Sequence, residues 1–201
     1  MDGGGRPVVR GDDSPVYPPR EDTWLLVPFA HVRAGTRFLE VGAGTGLAAL
    51  EAARCGARAV ATDLNPHALR QLRRRARAER LDLALVRTDL AHGLGRFDRI
   101  VANPPYLPTR PEERDPDRWY NLALDGGPDG CRVTARLVGE LDEHLFPGGE
   151  AYVIVSSLQD PGALGRIRAE WEAQGGDVSV AVTREIEGER LEVWRLAVAR
   201  G

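Results

Sequence analysis

Phe38-Leu39-Glu40-Val41-Gly42-Ala43-Gly44-Thr45-Gly46 is the stretch that decides the fold. A short strand-forming run enters three glycines at alternate positions, and a helical pattern begins at Gly46. Glycine accepts positive φ and lets backbone N–H groups approach a ligand closely at a helix N-terminus. The spacing is G-x-G-x-G, with Leu47 where a dinucleotide fingerprint carries its third glycine, so an NAD site is disfavoured. An ordinary tight strand-to-helix turn uses the same glycines, so this motif needs company before it points to a ligand.

Outward from that turn, short apolar or β-branched runs alternate with helical patterns. Strands are read at 38–41, 59–62, 83–87, 100–102, 151–156, 178–183 and 191–199, and helices at 23–31, 46–54, 66–80, 131–145 and 161–174. This alternation predicts an α/β fold, a seven-stranded, largely parallel sheet with helices on both faces. Ligands of such sheets sit beyond the C-terminal strand ends, at the switch point in strand order. No internal repeat or second core is visible. Residues 1–15, rich in Gly and Asp with little to bury, are expected to be a flexible segment, and residues 16–201 to form one domain.

Two carboxylates stand at successive strand ends. Asp63 follows the second strand, about 20 residues beyond the glycine turn, where an acidic group accepts both hydroxyls of a ribose. Asp89 ends the third strand and is placed to accept from an adenine amino group. Either has a local alternative, Asp63 as a cap for the helix near Pro66 and Asp89 as a turn residue. Together with the glycine turn they form a nucleoside-sized cradle.

The fourth strand leads into Asn103-Pro104-Pro105-Tyr106. An amide or exocyclic NH2 is a poor nucleophile because its lone pair is delocalised, so a site that uses one must hold it with the lone pair aimed at an electrophile. The Asn103 side-chain oxygen can accept one N–H, and the Pro104 carbonyl, presented by two prolines of fixed φ, can accept the other. Tyr106 offers a flat face to a planar group. Read blandly, Pro-Pro merely ends a strand.

Composition removes several classes. The chain has 201 residues, 42% of them hydrophobic, and no apolar stretch approaching a membrane span, which predicts a cytoplasmic protein. Cys55 and Cys131 form no CxxC, and His31, His67, His92 and His144 fit no metal-ligand spacing, so no metal site is expected and each histidine is read as a surface or turn residue. A formal net charge of −3 argues against a surface built throughout for nucleic acid. The one basic run, Arg70, Arg73, Arg74, Arg75, Arg77 and Arg80, shares a helix with Leu69, Leu72 and Ala76, whose spacing turns them to the sheet and most of the arginines to solvent. The segment between Leu107 and Gly126, charged and interrupted by Pro108, Pro111 and Pro116, reads as a long loop, either a substrate-facing lid or a solvated excursion.

With these residues assembled, the chain resembles the class I S-adenosylmethionine-dependent methyltransferases, and among them the HemK-type release-factor glutamine methyltransferases. The resemblance runs from Val16 onward. It rests on Tyr17-Pro18-Pro19-Arg20-Glu21-Asp22-Thr23, the segment 40–46, Asp63-Leu64-Asn65-Pro66, Thr88-Asp89-Leu90, Asn103-Pro104-Pro105-Tyr106 and Ala123-Leu124-Asp125-Gly126-Gly127-Pro128-Asp129-Gly130. It implies S-adenosylmethionine as cofactor, contacted by Thr23, Glu40, Gly42, Gly44, Asp63, Asp89 and Asn103. It also implies a glutamine acceptor, in the Gly-Gly-Gln loop of a release factor, held by residues 103–107, with Asn103, Pro104, Pro105 and Tyr106 as the catalytic group. With about twenty residues ahead of the catalytic region, the chain resembles the short form of archaea and eukaryotes, which implies a small zinc-binding activator subunit as partner. Two other readings stay open: an adenine-N6 methyltransferase acting on a flipped base of DNA or RNA, and a non-catalytic binding module, which would be free to lose Asp63, Asp89 or Asn103.

Overall fold

A computed structural model describes Val16 and residues 21–198 of the chain. The segment 1–15, the residues Tyr17 to Arg20 of the first motif and the predicted strand end at Ala199 lie outside the described residues.

Seven strands form one sheet: β1 (Arg37–Val41), β2 (Arg58–Thr62), β3 (Leu83–Val86), β4 (Phe97–Ala102), β5 (Leu145–Ser156), β6 (Asp177–Ile186) and β7 (Glu189–Ala197). Their order is β3-β2-β1-β4-β5-β7-β6. The first five are parallel, and β7 runs antiparallel to both its neighbours. Order reverses between β1 and β4, where chain leaving the sheet diverges and opens a crevice. The helices are α1 (Glu21–Trp24), α2 (Leu47–Arg54), α3 (Pro66–Ala78), α4 (Arg118–Leu124), α5 (Arg132–His144) and α6 (Pro161–Ala173).

Alternation along the central strands explains why both faces are covered. Leu39 and Ile100 belong to a cluster with Leu137 and Leu141 of α5 and Ile167 and Trp171 of α6. Their neighbours Phe38 and Val101 point the other way, into a cluster with Leu26, Ala30, Ala48 and Ala52. On that second face α3 adds Leu72 and Ala76 beside Leu50 and Ala61. Asn65 starts α3 by accepting from the His67 N–H at 2.9 Å, and Asp160 starts α6 by accepting from the Ala163 N–H at 2.7 Å, each with proline at the first helical position. Asn65, and not Asp63, is therefore the cap of α3.

All seven sequence-read strands are present, and four of the five helices. The fifth, read over residues 23–31, is instead α1 followed by a 3-10 turn at Val27–Ala30, which begins where Pro28 has no N–H to continue an α-helix. The segment read as a structureless loop holds a 3-10 turn at Pro111–Glu113 and α4, started by Asp117, whose carboxylate accepts from the Trp119 N–H at 2.9 Å. His144 is also corrected: the last residue of α5, it is buried, with Nδ1 3.3 Å from the Gly95 carbonyl.

Candidate active site

Strand register aligns the functional segments. Val41 pairs with Thr62 on one side and Ala102 on the other, and Thr62 pairs with Val86. The residues that follow, Gly42, Asp63, Asn103 and the turn to Asp89, therefore leave neighbouring strands at one level. At about 4.8 Å between strands the four ends span about 14 Å, the scale of a nucleoside with a short tail. They border one cavity of about 520 Å³, within the range for small-molecule sites. Thr23, Glu40, Gly42, Gly44, Asp63, Asp89, Asn103, Pro104 and Pro105 all line it. The Tyr106 side chain is half-buried beside them.

On the β1–β2 flank the backbone shapes the cavity. Gly42, Gly44 and Gly46 have φ of 63°, 51° and 68°. At Gly46 a Cβ would also collide with the Leu72 side chain, so turn and α3 packing both demand glycine. Asp63 holds the turn: Oδ2 accepts from the Gly44 N–H at 2.8 Å and Oδ1 from the Asn65 N–H at 2.7 Å. Burial raises the Asp63 pKa, with the Asn65, Gly44 and Leu64 N–H groups opposing. Glu40 is deeper. Its Oε2 accepts from the Ala49 N–H at 2.7 Å, serving an early turn of α2, whose Gly46 cap has no side chain to offer. Burial pushes the Glu40 carboxyl up to about 7, against the lowering pull of the Ala49 and Ala48 N–H groups. Asp89 sits at the rim, half exposed and paired with Arg136 at 2.7 Å.

On the β4 flank side chains do the shaping. Asn103 Nδ2 donates to Asp22 Oδ2 at 2.9 Å, and the Tyr106 hydroxyl donates to the same oxygen at 3.2 Å. Asn103 Oδ1 is buried and accepts from no group among the described residues. A buried amide oxygen without a donor costs about 1–3 kcal/mol, so a fold that keeps one leaves it for a ligand. Asp22 reaches this position because the following turn is pinned to the sheet: Phe29 stacks on Tyr152 with ring centroids 4.1 Å apart, and the Arg99 Nη1 donates to the Phe29 carbonyl at 3.2 Å.

The segment after Tyr106 folds back over the cavity. Leu107 and Asp125 bridge in parallel, the Gly126 N–H donates to the Leu107 carbonyl at 2.9 Å, and a Cβ on Gly130 would stand 2.5 Å from the Tyr106 carbonyl oxygen. The Gly-Gly-x-x-Gly spacing is thus a packing requirement of the Asn-Pro-Pro-Tyr loop. Asp125 is the hub, buried, with Arg114 at 2.9 Å and Arg132 at 3.1 Å. Burial raises its pKa, but the Gly127 N–H and the Arg132 and Arg114 guanidiniums outweigh that and hold it below the usual value. Helix α4 forms part of the cavity wall. Arg118, Trp119, Asn121 and Leu122 line the cavity, and the Trp119 ring meets His67 of α3 edge-on, centroids 5.8 Å apart. Sequence reading left this segment as a lid or a solvated excursion, without its helix, its ion pairs at Asp125 or the contacts of Asp22. The one signal within reach was Asp117 two residues ahead of Trp119, a helix start with little apolar periodicity behind it.

The arginines of the basic run behave as expected with one exception, though α3 ends at Ala78 and Arg80 lies just beyond it. Leu69, Leu72 and Ala76 are buried and Arg70, Arg73, Arg74, Arg77 and Arg80 exposed, whereas Arg75 turns inward and donates to the Thr45 carbonyl at 2.9 Å. Among the described residues no group of acidic, histidine or cysteine side chains could hold a metal ion, and no helix is long and apolar enough to cross a membrane.

Sheet order, crevice and glycine turn define a class I S-adenosylmethionine-dependent methyltransferase. A family model described as a methyltransferase domain matches residues 38–117. Methyltransferase HEMK2 of Mus musculus is 36% identical over 203 residues, covering 94% of this chain and 93% of that protein. Release factor glutamine methyltransferase of Deinococcus radiodurans is 39% identical over 180 residues, 83% of this chain and 63% of that protein. Among solved structures, the Mtq2-Trm112 complex of E. cuniculi, described as responsible for methylation of the eRF1 translation termination factor, superposes with a TM-score of 0.70 at 26% identity, covering 92% of this chain and 99% of that one. The chain belongs to the HemK-like glutamine methyltransferase family, and its cofactor is S-adenosylmethionine. The residues present fit that group: a glycine cradle, a half-buried carboxylate two strands from a buried amide oxygen that has no donor among the described residues, and space for a nucleoside.

Proposed function

We propose that the chain transfers a methyl group to the side-chain amide nitrogen of a glutamine, in the exposed Gly-Gly-Gln loop of a translation release factor. The observation that carries this reading is the buried Asn103 Oδ1, without a donor among the described residues, on a side chain that lines the same cavity as the glycine turn and Asp63. The named substrates of similar proteins support the glutamine acceptor.

Residues 16–201 act as one catalytic domain. Thr23, Glu40, Gly42, Gly44, Asp63, Asp89 and Asn103 hold the cofactor, with Asp63 at the ribose and Asp89 at the adenine. Bound there, S-adenosylmethionine supplies a methyl group on a positively charged sulfur, an electrophile for a nitrogen lone pair. Asn103 Oδ1 and the Pro104 carbonyl each accept one N–H of the substrate amide, Pro105 stiffens that carbonyl, and Tyr106 packs against the amide plane. Holding both N–H bonds fixes the direction of the lone pair, and such alignment contributes most of the acceleration. As the amide nitrogen takes the methyl group the carbon–sulfur bond would break, and the alkylated nitrogen, then strongly acidic, loses one proton. The α4 segment covers the site and keeps solvent from the reacting groups. A small zinc-binding subunit serves as activator, a reading supported by the fact that the similar Mtq2 is found in complex with Trm112, and the enzyme works in the cytoplasm, where release factors act.

The test is incubation with methyl-labelled cofactor and a release factor bearing Gly-Gly-Gln, followed by mass spectrometry. Label on that glutamine, lost when it is replaced, is the expected result. Label on duplex DNA or RNA at moderate salt with none on protein overturns the reading in favour of adenine methylation, since phosphate-driven binding weakens steeply with salt.

A further inference from the structure

Asn103 is useful to an amide substrate only if its own amide is turned the right way. Rotation of the side-chain amide by 180° exchanges oxygen for NH2 at almost no steric cost, and the wrong rotamer would present two donors to a substrate that also donates. Something must therefore choose the orientation. Pro104 and Pro105, the next two residues, have no N–H to donate.

We infer that Asp22 is the positioning residue for methyl transfer: its carboxylate selects the rotamer of Asn103 that leaves the amide oxygen, and not the NH2, free to accept from the substrate. A carboxylate accepts and never donates when ionised, so an amide beside it turns its NH2 towards it and its oxygen away. The distances have this form, with Asn103 Nδ2 2.9 Å from Asp22 Oδ2 and Asn103 Oδ1 buried at the far side without a donor among the described residues. The same oxygen takes the Tyr106 hydroxyl at 3.2 Å, tying the two ends of the Asn-Pro-Pro-Tyr segment to one point. The other oxygen, Oδ1, accepts from the Thr23 N–H at 2.8 Å and from the Thr23 hydroxyl at 3.3 Å, which fixes the carboxylate plane. One side chain on α1, contacted across 81 positions of sequence, thus orients the acceptor, the ring and a further residue of the cavity wall. The anchor is stiff, because the turn after α1 is stacked on Tyr152 through Phe29.

This inference rests on the proposed part of Asn103, and the experiment separates the two. Turnover at saturating cofactor is measured for Asp22→Ala, Asp22→Asn, Asn103→Ala and the double variant Asp22→Ala/Asn103→Ala, with thermal melting and cofactor titration on each. Asp22→Ala is expected to lower kcat at least about tenfold, as for a lost orienting contact, while the protein still melts cooperatively. In the Asn103→Ala background the same change should cost less than about twofold, because a residue acting through Asn103 has nothing left to orient. Asp22→Asn keeps an acceptor that can also turn its NH2 to Asn103, so its kcat should fall between parent and Asp22→Ala. Full loss of kcat in Asp22→Ala repeated in the Asn103→Ala background overturns the inference and leaves Asn103 in place. A kcat for Asp22→Ala within about threefold of the parent does the same. If Asn103→Ala itself turns over like the parent, both the inference and the proposed part of Asn103 fail.

Discussion

The two flanks of the crevice solve the same problem, holding a polar ligand, with different materials. The β1–β2 side presents backbone: a glycine turn whose φ values are all positive, clamped by Asp63 through the Gly44 and Asn65 N–H groups. The β4 side presents side chains, and one of them, Asn103, carries an oxygen without a described donor. A backbone cradle is rigid and indifferent to small changes in its neighbours, which suits a cofactor that is the same in every cycle. An open side-chain acceptor is costly to keep and useful only when the acceptor group arrives. The comparison predicts that changes on the β4 flank act on turnover and changes on the β1–β2 flank on binding or stability.

Asn103→Ala is the hardest test of that division. It should lower kcat at least about 100-fold, the usual scale for losing an alignment contact, with cofactor affinity changing much less. Steady-state kinetics beside calorimetry reads both, and turnover within about threefold of the parent would reduce the Asn-Pro-Pro-Tyr segment to a strand exit. On the other flank Asp63→Ala should weaken S-adenosylmethionine binding by about 2–3 kcal/mol, the scale of charge-assisted hydrogen bonds. Part of that loss comes from the glycine turn, which loses its clamp. Asp63→Asn, able to accept at one atom only, should show an intermediate loss, and unchanged affinity in both variants would remove Asp63 from the cofactor site.

Arg114 tests whether the roof belongs to either flank. Removing its contact to Asp125 in Arg114→Ala should raise KM for both substrates by about three- to tenfold, as α4 spends more time away from the opening. Arg132 still neutralises the buried Asp125 carboxylate, so the fold should survive. A KM unchanged for both would make the segment a fixed wall.

Glu40 tests stability and not turnover, and offers the cleanest sign. Its carboxyl is raised from 4.5 to about 7, so the folded state holds a proton that the unfolded chain has released. Stability therefore falls as pH rises from about 4.5 to about 7 and is level above that as far as this group is concerned. Glu40→Gln removes the dependence. Its melting temperature relative to the parent should climb by several degrees across that window in the absence of cofactor, and a constant difference would contradict the raised value.

What could be read from the chain follows from how local each feature is. The strands at 38–41 and 59–62 and the helix at 66–80 announce themselves because buried parallel strands are continuous apolar runs and α3 has an apolar stripe at helical spacing. Asp63, Asp89 and Asn103 were legible because each closes such a strand, and register carries strand ends to one level whatever the loops do. Helix α4 was not legible: charges and three prolines surround it, its cap at Asp117 is its strongest local mark, and its face is set by the cavity it lines.

By itself the sequence determined the alternating α/β order, the glycine turn, the carboxylates at the strand ends and the Asn-Pro-Pro-Tyr exit from the fourth strand, all consequences of residue type within a few positions of one another. Only the tertiary structure decided that Asp22 meets Asn103 and Tyr106, that Asp125 gathers Arg114 and Arg132, and that α4 forms part of the cavity wall. These contacts join segments whose approach depends on how helices and turns pack against a finished sheet. No propensity or spacing encodes such an approach, because the free energy that fixes it comes from burial shared across the whole core.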